Sequence, residues 1–328
     1  MPGRTATVIG TALTLGVGIA LLGPAGATAS IRPAKHHHGS RILYERTVGV
    51  DSLSVRTVRS NGAGLRVLAR NAYHPVWSPN GRTIAYQANT ASAMANGVWV
   101  MRADGSHKHR VSGTSGWAPS WSPDSRRLAY AAAGGSGRVW LARSDGTHRR
   151  RLPGRAFGYP AWSPRGGKIA YVHNCSIWVI GVDGSRRHRL ARKACSVAWA
   201  PNGRRLAYDR GWTDRASIWV VRVGGAHRHR VPGTAGGINP VWSPNGKKLA
   251  YSDTRNSTIV VINADGSHRH VVATDAYSPV WAPGGRRLAF AVAAGIATAK
   301  VDGRDRRQLT RDGDGTYLDS ASGWRPAR

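Results

Sequence analysis

The chain has 328 residues, 48 of them Lys or Arg and 16 Asp or Glu, giving a formal net charge of +32. That length buries a sizeable core, and a charge so one-sided points to anionic polymers or surfaces as partners. The repeats described below consume nearly all of it and leave no room for a second domain.

Residues 1–29 read as a cleavable signal peptide. Arg4 begins it, residues 8–22 are apolar, and Ala27-Thr28-Ala29 offers a small-residue cleavage site. The apolar stretch is too short and Gly-rich for a secure membrane span, and no Cys lies nearby for a lipid anchor. The mature chain is therefore expected to be exported and soluble, secreted or associated with the cell wall. Residues 30–40, with His36, His37 and His38, read as a flexible spacer. Residues 41–328 read as one domain.

Seven Trp motifs then set the period. They are Trp77-Ser-Pro-Asn-Gly, Trp121-Ser-Pro-Asp, Trp162-Ser-Pro, Trp199-Ala-Pro-Asn-Gly, Trp242-Ser-Pro-Asn-Gly, Trp281-Ala-Pro-Gly-Gly and Trp324-Arg-Pro, at steps of 44, 41, 37, 43, 39 and 43 residues. Short strands repeating at about 40 residues signal a β-propeller. Nine residues after six of the Trp comes an aromatic, Tyr86, Tyr130, Tyr171, Tyr208, Tyr251 or Phe290, so a hairpin of fixed length is expected. A third strand such as Ile177-Trp178-Val179-Ile180 runs into Asp-Gly, a tight-turn signal. A fourth strand follows, and four antiparallel strands make a blade. Near the N-terminus, Ile42-Leu43-Tyr44, Val55-Arg56-Thr57-Val58 and Leu68 supply three strands without a Trp, and the lone Trp324 motif supplies the missing one. The expected fold is all-β: a seven-bladed propeller closed by N- and C-terminal strands in one blade, or six blades if those pieces stay apart. The Trp are expected to pack between blades.

The unit Pro240-Val-Trp242-Ser-Pro-Asn-Gly246-Lys-Lys-Leu-Ala-Tyr251, with Val98-Trp-Val-Met-Arg-Ala-Asp104-Gly-Ser106, resembles the propeller repeat of the TolB family, also described as WD40-like. The resemblance spans residues 41–326 and concerns the propeller part only. It implies the fold more than a function. Related repeats precede the hydrolase domain of prolyl-oligopeptidase-like enzymes, but no Gly-x-Ser-x-Gly nucleophile elbow occurs here.

The charge is patterned. Three to five residues past the turn Gly lie Lys108 and Arg110, Arg149 and Arg151, Arg187 and Arg189, Arg228 and Arg230, and Arg269. On the outermost strand these cations ring the rim. They block edge-to-edge pairing, attract an anionic wall polymer, or reflect a drift toward Arg. Histidines recur beside them, spread around the circumference, so no metal site or other cofactor is expected. Nucleic acid is disfavoured, since export argues against it and no nucleic-acid motif occurs.

The Ser-Pro-Asn-Gly and Asp-Gly turns fall on one face. On the other, the distance from the aromatic to the next turn varies from 12 to 18 residues. A variable face on a rigid scaffold is the expected binding face. It carries Tyr73, His74, Trp117, Tyr159 and Tyr277 toward the channel mouth, and Asp209, Trp212, Asp214, Arg215, Asp253 and Arg255 on loops. This set suits a glycan or peptide. Cys175 and Cys195, both on this face at a blade junction, are expected to form a disulfide in an oxidising compartment. The function expected is a monomeric, non-catalytic, exported binding or scaffold module at the cell envelope. The alternative is a propeller enzyme such as a polysaccharide lyase working at the channel mouth.

Overall fold

The computed structural model describes residues 40–48, 52–88, 96–113, 115–132, 137–155, 158–211, 213–293, 295–311 and 317–326. The expected signal peptide and all but the last residue of the expected spacer lie outside them. The described strands form seven four-stranded antiparallel sheets, the blades of a propeller. Blade 1 joins the two chain ends: its inner strand is Tyr317–Trp324, followed outward by Arg41–Val48, Ser52–Arg59 and Arg66–Arg70. The other six blades follow in sequence, and their inner strands begin at Ala72, Trp117, Ala161, Val197, Gly237 and Ala276. In blade 1, Ile42 pairs with Trp324 and Tyr44 with Ala321, so the C-terminal strand closes the ring as the motif count implies.

The Trp motif explains why blades adhere. Trp77, Trp121, Trp162, Trp199, Trp242, Trp281 and Trp324 are all buried. Four of them also reach across to the preceding blade. Trp121 Nε1 donates to Val76 O at 3.2 Å, Trp199 to Ala161 O at 2.9 Å, Trp242 to Ala198 O at 3.3 Å and Trp281 to Val241 O at 3.1 Å. In each case the acceptor is the residue just before the previous Trp. Trp162 departs from the rule and bonds Gly166 O of its own turn. Where Ser follows the Trp it fixes the turn: Ser78 and Ser243 Oγ donate to the carbonyls of Thr83 and Lys248 and accept their N–H groups.

Both turn sets share one face. Backbone bonds such as Ala103 N–H to Arg82 O and Ala264 N–H to Lys247 O tie each Asp-Gly turn to its Trp-motif turn. Gly266 shows why these turns need glycine: its φ is +94°, and a Cβ there would lie 2.6 Å from Pro232 Cδ of the preceding blade.

The aromatic nine residues after each Trp lies inside a blade interface. Burial pushes the Tyr86 and Tyr130 phenols up to about 12. The unfolded chain releases such protons near 10. The unfolded state therefore binds fewer protons than the folded one between those values, and stability falls as pH rises through that window. Urea midpoints measured at pH 9 and pH 11 should show the decline, and Tyr130→Phe should make it shallower. Deleting residues 317–328 removes buried Trp324 and the inner strand of blade 1. Loss of such a side chain alone costs about 3–5 kcal/mol, so the melting temperature should drop by about 10 °C or more. A truncated chain that melts with the intact one would refute closure by this strand.

Candidate functional site

The face opposite the turns carries the loops between second and third strands and the lead-in to each inner strand. Three residues before each Trp, one residue per blade stands at the head of its inner strand: His74, Ala118, Tyr159, Ser196, Asn239, Ser278 and Ala321. In four blades this residue sits in a β-bulge with positive φ: His74 at 48°, Ala118 at 53°, Asn239 at 52° and Ser278 at 57°. A bulge frees a backbone N–H from its ladder, and in three of the four the preceding blade supplies the acceptor. His74 N–H donates to Glu45 Oε2 at 2.8 Å, Asn239 N–H to Asp209 Oδ2 at 3.2 Å and Ser278 N–H to Ser252 Oγ at 3.1 Å. Glu45, Asp209 and Ser252 each follow the recurring second-strand Tyr of their blade.

Tyr73, His74 and Tyr159 come together. Gln87 Nε2 donates to Tyr73 Oη at 2.5 Å, so its Oε1 is left to accept from His74 Nδ1 at 3.3 Å. His74 Nε2 then accepts from Tyr159 Oη at 3.1 Å. The His74 ring lies 4.9 Å from Tyr73 and 5.1 Å, edge-on, from Tyr159. Tyr159 belongs to blade 4 and His74 to blade 2, so this bond spans the intervening blade. Blade 3 offers only Ala118 at the equivalent place, and a residue that small leaves room for the crossing. Burial, then the charge of Glu45, holds the Tyr159 phenol above its ordinary value; burial likewise raises Tyr73. Both stay protonated, and Tyr159 donates.

Glu45 is the residue the sequence reading missed. It is the sole glutamate of the chain, it directly follows Ile42-Leu43-Tyr44, and it stands at the mouth of a ring whose rim is cationic. Its rarity was a usable signal, as was its place one residue past the recurring Tyr.

The other expected residues separate. Trp117 and Tyr277 are half-buried one position before the bulge residues of their own blades. Asp209 is buried and caps the lead-in to blade 5, accepting from Cys195 N–H, Ser196 N–H and Ser196 Oγ–H. Asp253 is buried and organises its own loop, accepting from Arg255 N–H at 3.0 Å and from Arg269 at 3.1 Å. Arg255 Nε donates to Asp214 O of the neighbouring blade. Arg215 is exposed in the short helical turn Thr213–Arg215. Trp212 lies outside the described residues.

The expected disulfide is corrected. Cys175 and Cys195 are free thiols, and the Cys195 Sγ–H donates to Cys175 Sγ at 3.2 Å. A covalent bond is about 2.05 Å. Asn174 and Cys175 both take positive φ in the hairpin turn, and Asp209 holds the Cys195 backbone. Each cysteine is thus positioned by its own loop, with the sulfurs in hydrogen-bond contact. Burial, then the neighbouring Cys175, pushes the Cys195 thiol up and keeps it protonated.

The rim is also less free than the sequence implies. His109 Nδ1 and Nε2 face the carbonyls of His107 and, at 2.8 Å, of Ser144 in the next blade. His188 and His270 repeat this toward Val223 O and Val301 O, and Arg150 does so toward Val182 O. Arg228 reaches Leu190 O, Arg269 reaches Gly233 O and Asp253, and Arg187 donates to Tyr171 Oη at 2.7 Å. Much of the cationic rim therefore staples one blade to its neighbour, while Lys108, Arg149, Arg151, Arg189 and Arg230 are exposed.

With this geometry in place, residues 156–327 match the PD40 family, the TolB beta propeller domain. The chain belongs to that family. No curated protein matches it. Among solved structures, TolB from Acinetobacter baumannii is 16% identical with a TM-score of 0.56, over 87% of this chain and 83% of that one. The β-propeller domain of the Trilobed protease from Pyrococcus furiosus is 12% identical with a TM-score of 0.63, over 89% and 98%. Hydrazine synthase from Kuenenia stuttgartiensis is 15% identical with a TM-score of 0.56, over 71% and 77%. Proteins so differently named share the TolB-type propeller as a fold, and the likeness carries no activity.

Tyr159→Phe removes the bond across the mouth and leaves the ring in place. It should cost about 1 kcal/mol. Absorbance at 295 nm during alkaline titration should lose one late-ionising phenol; loss of a phenol that ionises near the ordinary value of about 10 would place Tyr159 in water.

Proposed function

We propose that this TolB-type propeller is an exported, non-catalytic binding module of the cell envelope, whose channel mouth takes a peptide or glycan. The fold in general is a protein-binding scaffold. One observation carries the proposal: side chains of blades 1, 2 and 4 converge on the mouth through Glu45, His74 and Tyr159, bonded to one another or through backbone. Preset donors and acceptors with aromatic faces are what peptide and sugar recognition needs. Residues 1–29 supply the export signal, and a secreted protein whose N-terminus starts near Ser30 is the expected product.

The lyase alternative finds less support here. A Tyr–His pair is present, but the charge acting on both Tyr73 and Tyr159 is that of Glu45. Its sign repels the carboxylate of a uronate substrate. Glycan and peptide arrays probed with the mature protein test the proposal. Glu45→Gln with His74→Ala should abolish every spot still captured in high salt, where the rim is screened, and capture there unaffected by both changes would overturn it.

The rim is the second contact of this reading and holds the protein on anionic wall polymer. Attraction of this kind is screened as the Debye length shrinks to about 3 Å at 1 M salt. Retention on such polymer should vanish in high salt, and salt-independent retention would rule the rim out.

A further inference from the structure

The rim is not the same all the way round. On the third strand of blades 2 to 5, the central residue is Trp99, Trp140, Trp178 or Trp219, each half-buried. Every one pairs inward with the recurring Tyr and outward with an Arg of the outer strand: Arg110, Arg151, Arg189 and Arg230 in turn. Each Trp packs against the hydrophobic cluster it shares with the preceding blade, at the outer end of the groove between them. Four consecutive grooves therefore repeat one Trp–Arg unit. The remaining blades break it. The same register holds Val260 and Val271 in blade 6, Ala297 and Gln308 in blade 7, and Arg56 and Val67 in blade 1. Val67 and Val271 are 41% and 44% exposed, on the side of the ring where the unit is missing.

Resting on the proposal that the rim holds an anionic polymer, we infer that the arc of blades 2 to 5 is the face that binds it, and that the polymer is an acidic polysaccharide lying across the four grooves. In blades 4 and 5 the Trp orients cations. Arg187 Cζ lies 3.8 Å from the Trp178 ring centroid with Arg189 at 5.7 Å, and Arg210 Cζ lies 4.9 Å from that of Trp219. Arg187 gives its Nε to Tyr171 Oη, and a guanidinium stacked on an aromatic face still presents its remaining N–H groups edge-on to a carboxylate or other oxyanion, losing less entropy on pairing than a mobile side chain. The same stacking separates a glycan from a nucleic acid. Nucleobases need open aromatic faces, and here Arg187 and Arg210 already lie over two of them. A polymer held through repeated anions alone fits.

Two triple variants of equal charge test this. The arc variant is Arg151→Gln with Arg189→Gln and Arg230→Gln. The control is Arg66→Gln with Arg70→Gln and Arg304→Gln, exposed cations of blades 1 and 7. Binding of the mature chain to soluble polygalacturonate is measured from 25 to 300 mM salt, with melting curves to confirm folding. The arc variant should lose about tenfold or more in affinity, and its slope of log K against log salt should shrink by about 2. The control should lose far less. Trp178→Leu, which leaves the charge unchanged, should weaken binding as well. Equal losses in the two triple variants would overturn the arc while leaving the rim proposal intact. No binding by the unaltered chain at low salt would overturn both. Tighter binding to single-stranded DNA than to polygalacturonate would overturn the polysaccharide assignment.

Discussion

One buried Trp per blade, given direction in four of the seven by a hydrogen bond to the peptide before the neighbour's Trp, is the contact on which the ring depends. Each blade is a small sheet with two apolar faces and cannot stand alone in water. Burial of the indole supplies affinity between blades but no direction, because the hydrophobic effect has none. The indole N–H supplies direction. By reaching one defined carbonyl it sets the height at which successive blades stack, as in Trp242 to Ala198 and Trp281 to Val241. A ring can close only if those offsets sum to nothing, and the C-terminal strand beside Ile42 is where they must agree.

Fixing the inner strands at Trp leaves consequences at both ends of the blade. Toward the channel, the bulge three residues earlier turns a backbone N–H out of the ladder and obliges the previous blade to answer it. Glu45, Asp209 and Ser252 do so. The only glutamate of the chain is thus first a structural acceptor, and its place at the mouth follows from that duty. Toward the rim, cations and imidazoles find carbonyls of the next blade's turn, as His109 does with Ser144 and His270 with Val301. A chain of this charge repels itself. Anchoring part of the charge on peptide dipoles between blades turns it to cohesion.

The candidate site was only partly legible. Tyr73, His74 and Tyr159 could be named because they lie at fixed offsets from Trp motifs, and a propeller sends those offsets to one place. Their mutual bonding could not be read, since it needs Ala118 to be small in the blade between. Asp209 and Asp253 looked equally available on the same face, yet they are buried and spent on neighbouring loop N–H groups. Loop polarity in a sequence does not reveal whether a carboxylate faces solvent or caps a backbone. The cysteine pair failed for a related reason: proximity was legible, but not how each loop would hold its sulfur.

What the sequence by itself determined is whatever repeats. The spacing from Trp to aromatic and the turn glycines, local rules repeated blade after blade, fix strand count and order, and the split blade fixes closure. What the tertiary structure decided is whatever differs between blades and meets across them. The His74 to Tyr159 crossing, the bond from Asn239 N–H to Asp209 and the reach of His109 to Ser144 O all depend on the distance and angle between residues far apart in the chain. Those are set by how the blades pack around the channel, and no local spacing encodes them.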